Sequence, residues 1–333
     1  MNLDNKSILI TGGTGSFGNE VVSFLLKNTR CKRIIIFSRD EIKQWEMNIR
    51  FKNNNRLRFF IGDIRDISRL KRALNNVDFV IHAAATKIVP TAEYNPMECI
   101  KTNIIGAMNL IEACTDRKIK KVVALSTDKA SSPINLYGAT KLASDKLFIA
   151  ANSYLTEKQT RFSIVRYGNV MGSRGSIIPF FLDQYKNKKK ITITDKRMTR
   201  FITELDDCVS LVMLAFNDMY GGEIYVNKLQ SIKIIDIAEA FANSKDIEVI
   251  GIRPGEKLHE QMIGKEDSPY TYEYEKYFKI LPSIFEWYKD KKRIKKGKLV
   301  KPQFSYDSYT NNQWMSKNQF KKWLKLKHKI SFE

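Results

Sequence analysis

The sequence predicts an α/β fold, a doubly wound parallel sheet with a smaller mixed α/β lobe toward the C-terminus. Three observations predict it. Through the first half of the chain, short β-branched runs alternate with longer segments whose apolar residues recur at helical spacing. The strand candidates are nearly continuous in apolar residues, as strands covered on both faces are. Beyond Gly172 this alternation loosens into a mixed pattern. The strands are expected at 7–12, 33–39, 57–63, 78–84, 121–127 and 162–168, with helical stretches such as "NEVVSFLLKNT" and "TNIIGAMNLIEACTDRK" between them. Later elements are a helix over 204–219 and a strand over 222–227, followed by the segment "IIDIAEAFANS" (234–244).

The first turn carries chemistry. "ITGGTGSFGNEVVSFLL" sets Gly12, Gly15 and Gly18 between a strand and a helix, where glycines let the backbone approach a pyrophosphate. Thr14, Ser16 and Phe17 complete this loop. It makes residues 1–172 a Rossmann-type dinucleotide domain, to which the elements at about 201–230 return. Residues 173–333 then form a substrate-binding lobe and a lysine-rich tail. The second strand ends in Ser38 and Arg39, followed by Asp40 and Lys43. A hydroxyl and a guanidinium suit a 2′-phosphate and favour NADP; if Arg39 is a surface charge, Asp40 takes the ribose instead. Asp63 and Ile64 are expected at the adenine, and Ala83 and Ala84 against the cofactor.

"STDKASSPINLYGATKLASDK" follows the fifth strand. Tyr137 and Lys141 are four apart and share a helix face, where an ammonium would lower the phenol's pKa. After a strand ending "ALST", this pattern resembles the extended short-chain dehydrogenase/reductase family. That resemblance implies a triad of Thr127, Tyr137 and Lys141. Sugar-nucleotide 4,6-dehydratases carry an acid and a base directly after that threonine, and here the pair is Asp128 and Lys129. "STDKA", "PINLYGATK", "RYGNVMGSRGS", "TDKRMTRF", "RPGEKLHE" and "NNQW" together resemble the inverting UDP-N-acetylglucosamine 4,6-dehydratases that open pseudaminic acid synthesis.

The resemblance implies UDP-N-acetylglucosamine as substrate, a tightly bound NADP regenerated each turnover, and assembly into a closed homo-oligomer such as a hexamer. It implies that Asp128 is the acid and Lys129 the base, which requires a protonated aspartate and a neutral lysine, a coupled pair. It also implies substrate contacts from Lys87, Leu125, Ser126, Asn169, Arg174, Gly175, Ser176, Thr194, Arg200, Arg253 and Glu256, with Lys87 and Val170 also near the nicotinamide. Taken alone, any of these arginines is equally a surface ion pair. A retaining dehydratase and a nucleotide-sugar 4-epimerase are the enzymatic alternatives. An NADP-sensing binding protein is the non-enzymatic one.

Composition limits the rest. The formal charge is +21, and residues 286–333 hold 14 Lys/Arg against 4 Asp/Glu. The densest stretch, "KDKKRIKKGKLVK" (289–301), lacks arginine-aromatic interleaving, so a solvated basic tail is expected rather than a nucleic-acid site. Cys31, Cys99, Cys114 and Cys208 are dispersed and read as reduced core thiols. Three histidines are too few and scattered for zinc, so no metal is expected. "MNLDNK" runs directly into a strand and no apolar run approaches ~18 residues, which predicts a cytoplasmic protein without a membrane segment.

Overall fold

The computed structural model describes residues 3–155, 159–173 and 175–328. Its strands are β1 (Ser7–Thr11), β2 (Arg33–Ser38), β3 (Leu57–Ile61), β4 (Phe79–His82), β5 (Lys121–Thr127) and β6 (Arg161–Tyr167). These are followed by β7 (Asn169–Val170), β8 (Ile191–Ile193), β9 (Thr199–Thr203), β10 (Ile224–Asn227), β11 (Gln230–Lys233) and β12 (Ile247–Val249). The last are β13 (Gln261–Ile263), β14 (Thr271–Glu273), β15 (Tyr277–Ile280), β16 (Lys298–Leu299) and β17 (Tyr306–Asp307). The helices of the first half are α1 (Ser16–Asn28), α2 (Glu41–Arg50), α3 (Ile67–Ala73), α4 (Val89–Tyr94), α5 (Pro96–Ile100), α6 (Gly106–Asp116) and α7 (Leu136–Ala151). Those of the second are α8 (Ile177–Lys186), α9 (Leu205–Asp218), α10 (Ile234–Ala238), α11 (Lys291–Ile294) and α12 (Lys317–His328).

Ten strands form one sheet in the order β16-β14-β15-β10-β6-β5-β4-β1-β2-β3. From β10 to β3 all neighbours are parallel, with β1 paired to β2 from Ser7↔Arg33 to Thr11↔Phe37. β15 joins β10 antiparallel, and β14 and β16 extend that edge. The alternation of side chains along β1 divides the core in two. Leu9 packs with Leu70, Leu110 and Phe148 of α3, α6 and α7, while Ile8 and Ile10 meet Val21, Val22, Val212 and Phe216 of α1 and α9. Each such fully buried side chain stabilises the fold by about 2 kcal/mol. A separate cluster, including Ile178, Phe181, Ile193, Ile232, Phe241 and Phe320, forms the core of the later lobe.

The segment 234–244 is helical only to Ala238, where Ala240 N–H and Phe241 N–H bond three residues back to Ile237 and Ala238 and turn Phe241 into the lobe core. One expectation changes. The expected solvated tail is not solvated throughout. Arg293 is buried and donates to Glu223 Oε1 at 2.9 Å and to the Gly221 carbonyl at 2.6 Å. Lys279, also buried, donates to Asp218 Oδ2 at 2.7 Å and to the Arg293 carbonyl, and Lys295 pairs with Asp218. Buried carboxylates demand counter-charges, and the lysine-rich stretch supplies them. All four cysteines are buried and free. Among the described residues no helix is long and apolar enough to cross a membrane.

Candidate active site

Because β1, β4, β5 and β6 run parallel, the loops after them meet along one edge of the sheet, where open α/β sheets bind ligands. After β1, Gly12 takes φ +64°, and a Cβ there would stand 2.8 Å from Ala84 N and 2.9 Å from Ala83 O. The turn is therefore closed against the loop that carries Ala83 and Ala84, whose N–H groups donate to Thr11 Oγ1 at 3.2 and 3.3 Å. Gly15 caps α1 without a side-chain hydrogen bond, and Thr14 is buried behind it. Ser16 and Gly18 lie in the first turn of α1, and Phe17 stacks on Tyr167. A glycine cradle at an uncapped helix N-terminus fits a pyrophosphate held by backbone N–H groups.

At the end of β2, Ser38 is buried and its hydroxyl accepts from Gln44 at 3.0 Å. Asp40 is occupied twice, capping α2 through Lys43 N–H and pairing with Lys43 Nζ at 2.6 Å. Arg39 remains exposed, 3.8 Å from Asp63, which Arg65 also grips. Ile64 is buried against Gly106.

The proton-handling residues lie where β5 ends. Thr127 closes the strand and Asp128–Ala130 form a single 3-10 turn. α7 starts immediately beyond, capped by Asn135, with Tyr137, Lys141 and Asp145 at successive turns of one face. A Cβ at Gly138 would fall 2.1 Å from the Lys129 carbonyl, so only glycine lets α7 lie this close to the turn. The Thr127 hydroxyl is hydrogen-bonded to Tyr137 and donates to Asp128 Oδ1 at 3.0 Å. Lys129 Nζ donates to the same oxygen at 3.0 Å. Asp128 is 1% exposed, and its Oδ2 has no hydrogen-bond partner.

Sequence reasoning missed Glu260. It is 2% exposed, and its Oε1 lies 3.2 Å from Lys129 Nζ and 3.7 Å from Arg200 Nε. "RPGEKLHE" reaches the site because it is stapled across the loop before α7. Asn135 Nδ2 donates to the Gly255 carbonyl at 2.8 Å, and Lys257 Nζ to the Ser131 carbonyl at 2.7 Å. Asp145 was also missed. It accepts from Ser126 Oγ at 2.7 Å and lies 3.5 Å from Arg166. Its position two turns after Tyr137 was the available signal. For Glu260 the only signal was its place at the end of a motif already singled out.

The electrostatics overturn two expectations. Burial pushes the Tyr137 phenol up to about 12, outweighing Lys129 and Thr127, so the expected lowering by Lys141 does not prevail. Burial also lowers Lys141, opposed by Asp145. Burial alone would lower Lys129, but Asp128 and Glu260 together hold it above the ordinary lysine range, as an ammonium. The expected neutral lysine took no account of a second carboxylate. Burial raises Asp128 against the pull of Lys129, with Glu260 adding to the rise. Burial works on Glu260 in the same direction, yet Lys129 and Arg200 bring it below the ordinary range.

The substrate-side residues divide into inward and open sets. Leu125 and Ser126 are buried in β5, and Arg200 donates to the Thr199 and Leu258 carbonyls at 2.8 and 3.0 Å. Thr194 bonds Met198 Sδ. Among the described residues Asn169 and Ser176 each hold a buried side-chain oxygen without a partner, as groups awaiting a polar ligand do. Gly175 has φ +74° with open space beside it, and Val170 follows Asn169 in β7. Lys87 and Arg253 are exposed, and Glu256 Oε2 accepts from Arg253 N–H at 3.3 Å. Arg174 lies outside the described residues.

The model of the polysaccharide biosynthesis protein family matches residues 8–282. The UDP-N-acetylglucosamine 4,6-dehydratase (inverting) of Campylobacter jejuni subsp. jejuni serotype O:23/36 (strain 81-176) is 55% identical over 322 residues, covering 95% of this chain and 96% of that one. A UDP-glucose 4-epimerase of Rickettsia bellii (strain OSU 85-389) is 47% identical over 283 residues, 83% of each chain. Among solved structures, Pen from Bacillus thuringiensis matches with a TM-score of 0.90 and 36% identity, over 99% of this chain and 100% of that one.

Proposed function

The chain belongs to the polysaccharide biosynthesis protein family, and we propose that it dehydrates UDP-N-acetylglucosamine across carbons 4 to 6 with inversion at carbon 5. The product is UDP-2-acetamido-2,6-dideoxy-β-L-arabino-hex-4-ulose, the entry to pseudaminic acid synthesis. The observation that carries the reading is the buried Asp128 paired with a half-buried Lys129 beside Tyr137 and Thr127. Residues 1–172 hold the dinucleotide and 173–333 the sugar nucleotide, in a cytoplasmic homo-oligomer.

NADP is the cofactor on this reading. Arg39 is the exposed cation at the ribose end, while Asp40 is engaged by α2 and Lys43. A dinucleotide held by the Gly12–Gly18 turn and Lys141 would supply the hydride acceptor for carbon 4 and the donor for carbon 6. Tyr137 takes the proton of the carbon 4 hydroxyl as a phenolate, a state that burial opposes and Lys129 and Thr127 favour, and Lys141 orients the ribose. The ketone at carbon 4 acidifies the proton on carbon 5, which Lys129 removes. Asp128 protonates the hydroxyl leaving carbon 6, through the Oδ2 that has no protein partner. Tyr137 then returns its proton to carbon 5 from the opposite face. Asn169, Ser176 and Arg253 hold the sugar diphosphate.

The 47% identity to a UDP-glucose 4-epimerase favours a second reading, epimerisation at carbon 4. That reaction has no use for a buried acid next to a lysine. Incubation with UDP-N-acetylglucosamine in D₂O without added cofactor, followed by proton NMR, separates the two. Dehydration gives a new methyl signal, deuterium at carbon 5 and couplings of the inverted sugar. A carbon 4 epimer with carbon 6 intact would defeat the proposal.

A further inference from the structure

We propose that Glu260 is a positioning residue of the proton-handling site, the counter-ion of Lys129 that keeps the acid proton on Asp128. The inference rests on the dehydratase reading above. One ammonium, Lys129 Nζ, stands 3.0 Å from Asp128 Oδ1 and 3.2 Å from Glu260 Oε1. Two buried carboxylates sharing one cation do not both stay ionised at low cost. Their surroundings decide which takes the proton. Glu260 has a second cation in Arg200, and Lys257 lies nearby. Among the described residues Asp128 has Lys129 as its one cation, and since both carboxylates keep a buried oxygen without a partner, Asp128 Oδ2 and Glu260 Oε2, the extra cations at Glu260 decide. The proton therefore sits on Asp128 Oδ2, the oxygen free to give it to a departing hydroxyl.

Glu260 is built to hold this place. Its N–H donates to Ser308 Oγ at 2.9 Å, and its carbonyl accepts from Ser308 N–H at 2.8 Å. The same carboxylate is the base placed to take a proton from Lys129 during the reaction, against the resting preference of the pair for ammonium and carboxylate. One N–H of the ammonium passes to Glu260, leaving an amine and a carboxylic acid. The amine takes the carbon 5 proton as the C–H pair forms the double bond to carbon 6. The carbon 6 hydroxyl departs as water with the Asp128 proton. Lys129, again an ammonium, returns a proton to Asp128, Glu260 gives its proton back to Lys129, and the starting states are restored. The groups coupled to this exchange are Asp128 and Tyr137 from the β5–α7 region, Arg200 from β9, and Lys257 and Glu260 from the stapled loop. His259 bonds Thr199 and stacks on Tyr309.

Glu260→Gln tests the proposal. Dehydration of UDP-N-acetylglucosamine near neutral pH is expected to fall about a hundredfold, while nicotinamide reduction on mixing with the sugar nucleotide stays close to wild type. The wild-type rate is expected to decline as rising pH ionises Asp128, and in Glu260→Gln that decline moves to lower pH. A merely structural role would not move it. A variant with wild-type dehydration and an unmoved limb overturns the proposal, as does equal loss of both steps with an unmoved limb. Should Glu260→Gln fail to fold, Glu260→Asp keeps the charge and is expected to keep the limb, and a displaced limb there overturns the proposal. A wild type that leaves the sugar nucleotide intact defeats the dehydratase reading itself. Dehydration by wild type with no change in Glu260→Gln defeats only the part assigned to Glu260.

Discussion

The chemistry of this site turns on a few side chains whose charge states are set by burial. Thr127, Asp128, Lys129, Tyr137 and Lys141 are close in the chain, so the sequence showed them together, and the fold brings them to one turn and one helix face. Their protonation was not legible. It depends on Glu260, far away in the chain, and on how completely each group is buried. Lys129→Ala is expected to keep its cofactor and still oxidise carbon 4, because Tyr137 and Lys141 are untouched. Loss of water should drop at least about a hundredfold. Proton NMR of the product mixture reads this, and full dehydration by the variant would contradict the base role of Lys129.

At the scale of elements, the parallel strands and their helices were legible because each is a contiguous apolar pattern. The lysine-rich segment was not. Its charge reads as solvated until Glu223 and Lys279 are seen buried beneath it, with Asp218 half-buried beside them. α11, only Lys291–Ile294, is too short for periodicity to reveal, yet it carries Arg293 into that network. Removing Arg293 leaves the Glu223 carboxylate buried without its counter-charge, held only by Ser163 Oγ and the Tyr220 and Gly221 N–H groups. Arg293→Ala is therefore expected to lower the unfolding free energy by about 3–5 kcal/mol. Lys296→Ala, at an exposed position on the same segment, should change it by less than about 0.5 kcal/mol. Denaturant titration of the two variants distinguishes a docked segment from a solvated one, and equal stability would contradict the docking.

Over the whole molecule, the site is assembled from both halves of the chain. The first supplies the glycine turn, the 3-10 turn and α7, and the second brings Glu260 onto the Lys129 ammonium, with Arg200 on the same carboxylate. The first half's share could be read from motifs in strand-turn-helix context. The second half's share could not, because the staples at Asn135 and Ser131 are long-range contacts that no local pattern encodes. This joint construction is what a dehydration needs, with hydride and proton chemistry on one sugar in one closed space. The most direct test is to supply UDP-N-acetylglucosamine deuterated at carbon 4 and locate the label after turnover by NMR. The expected result is deuterium in the new carbon 6 methyl group, without added cofactor and without loss to water. Label retained at carbon 4, in unchanged sugar or its epimer, would contradict the account.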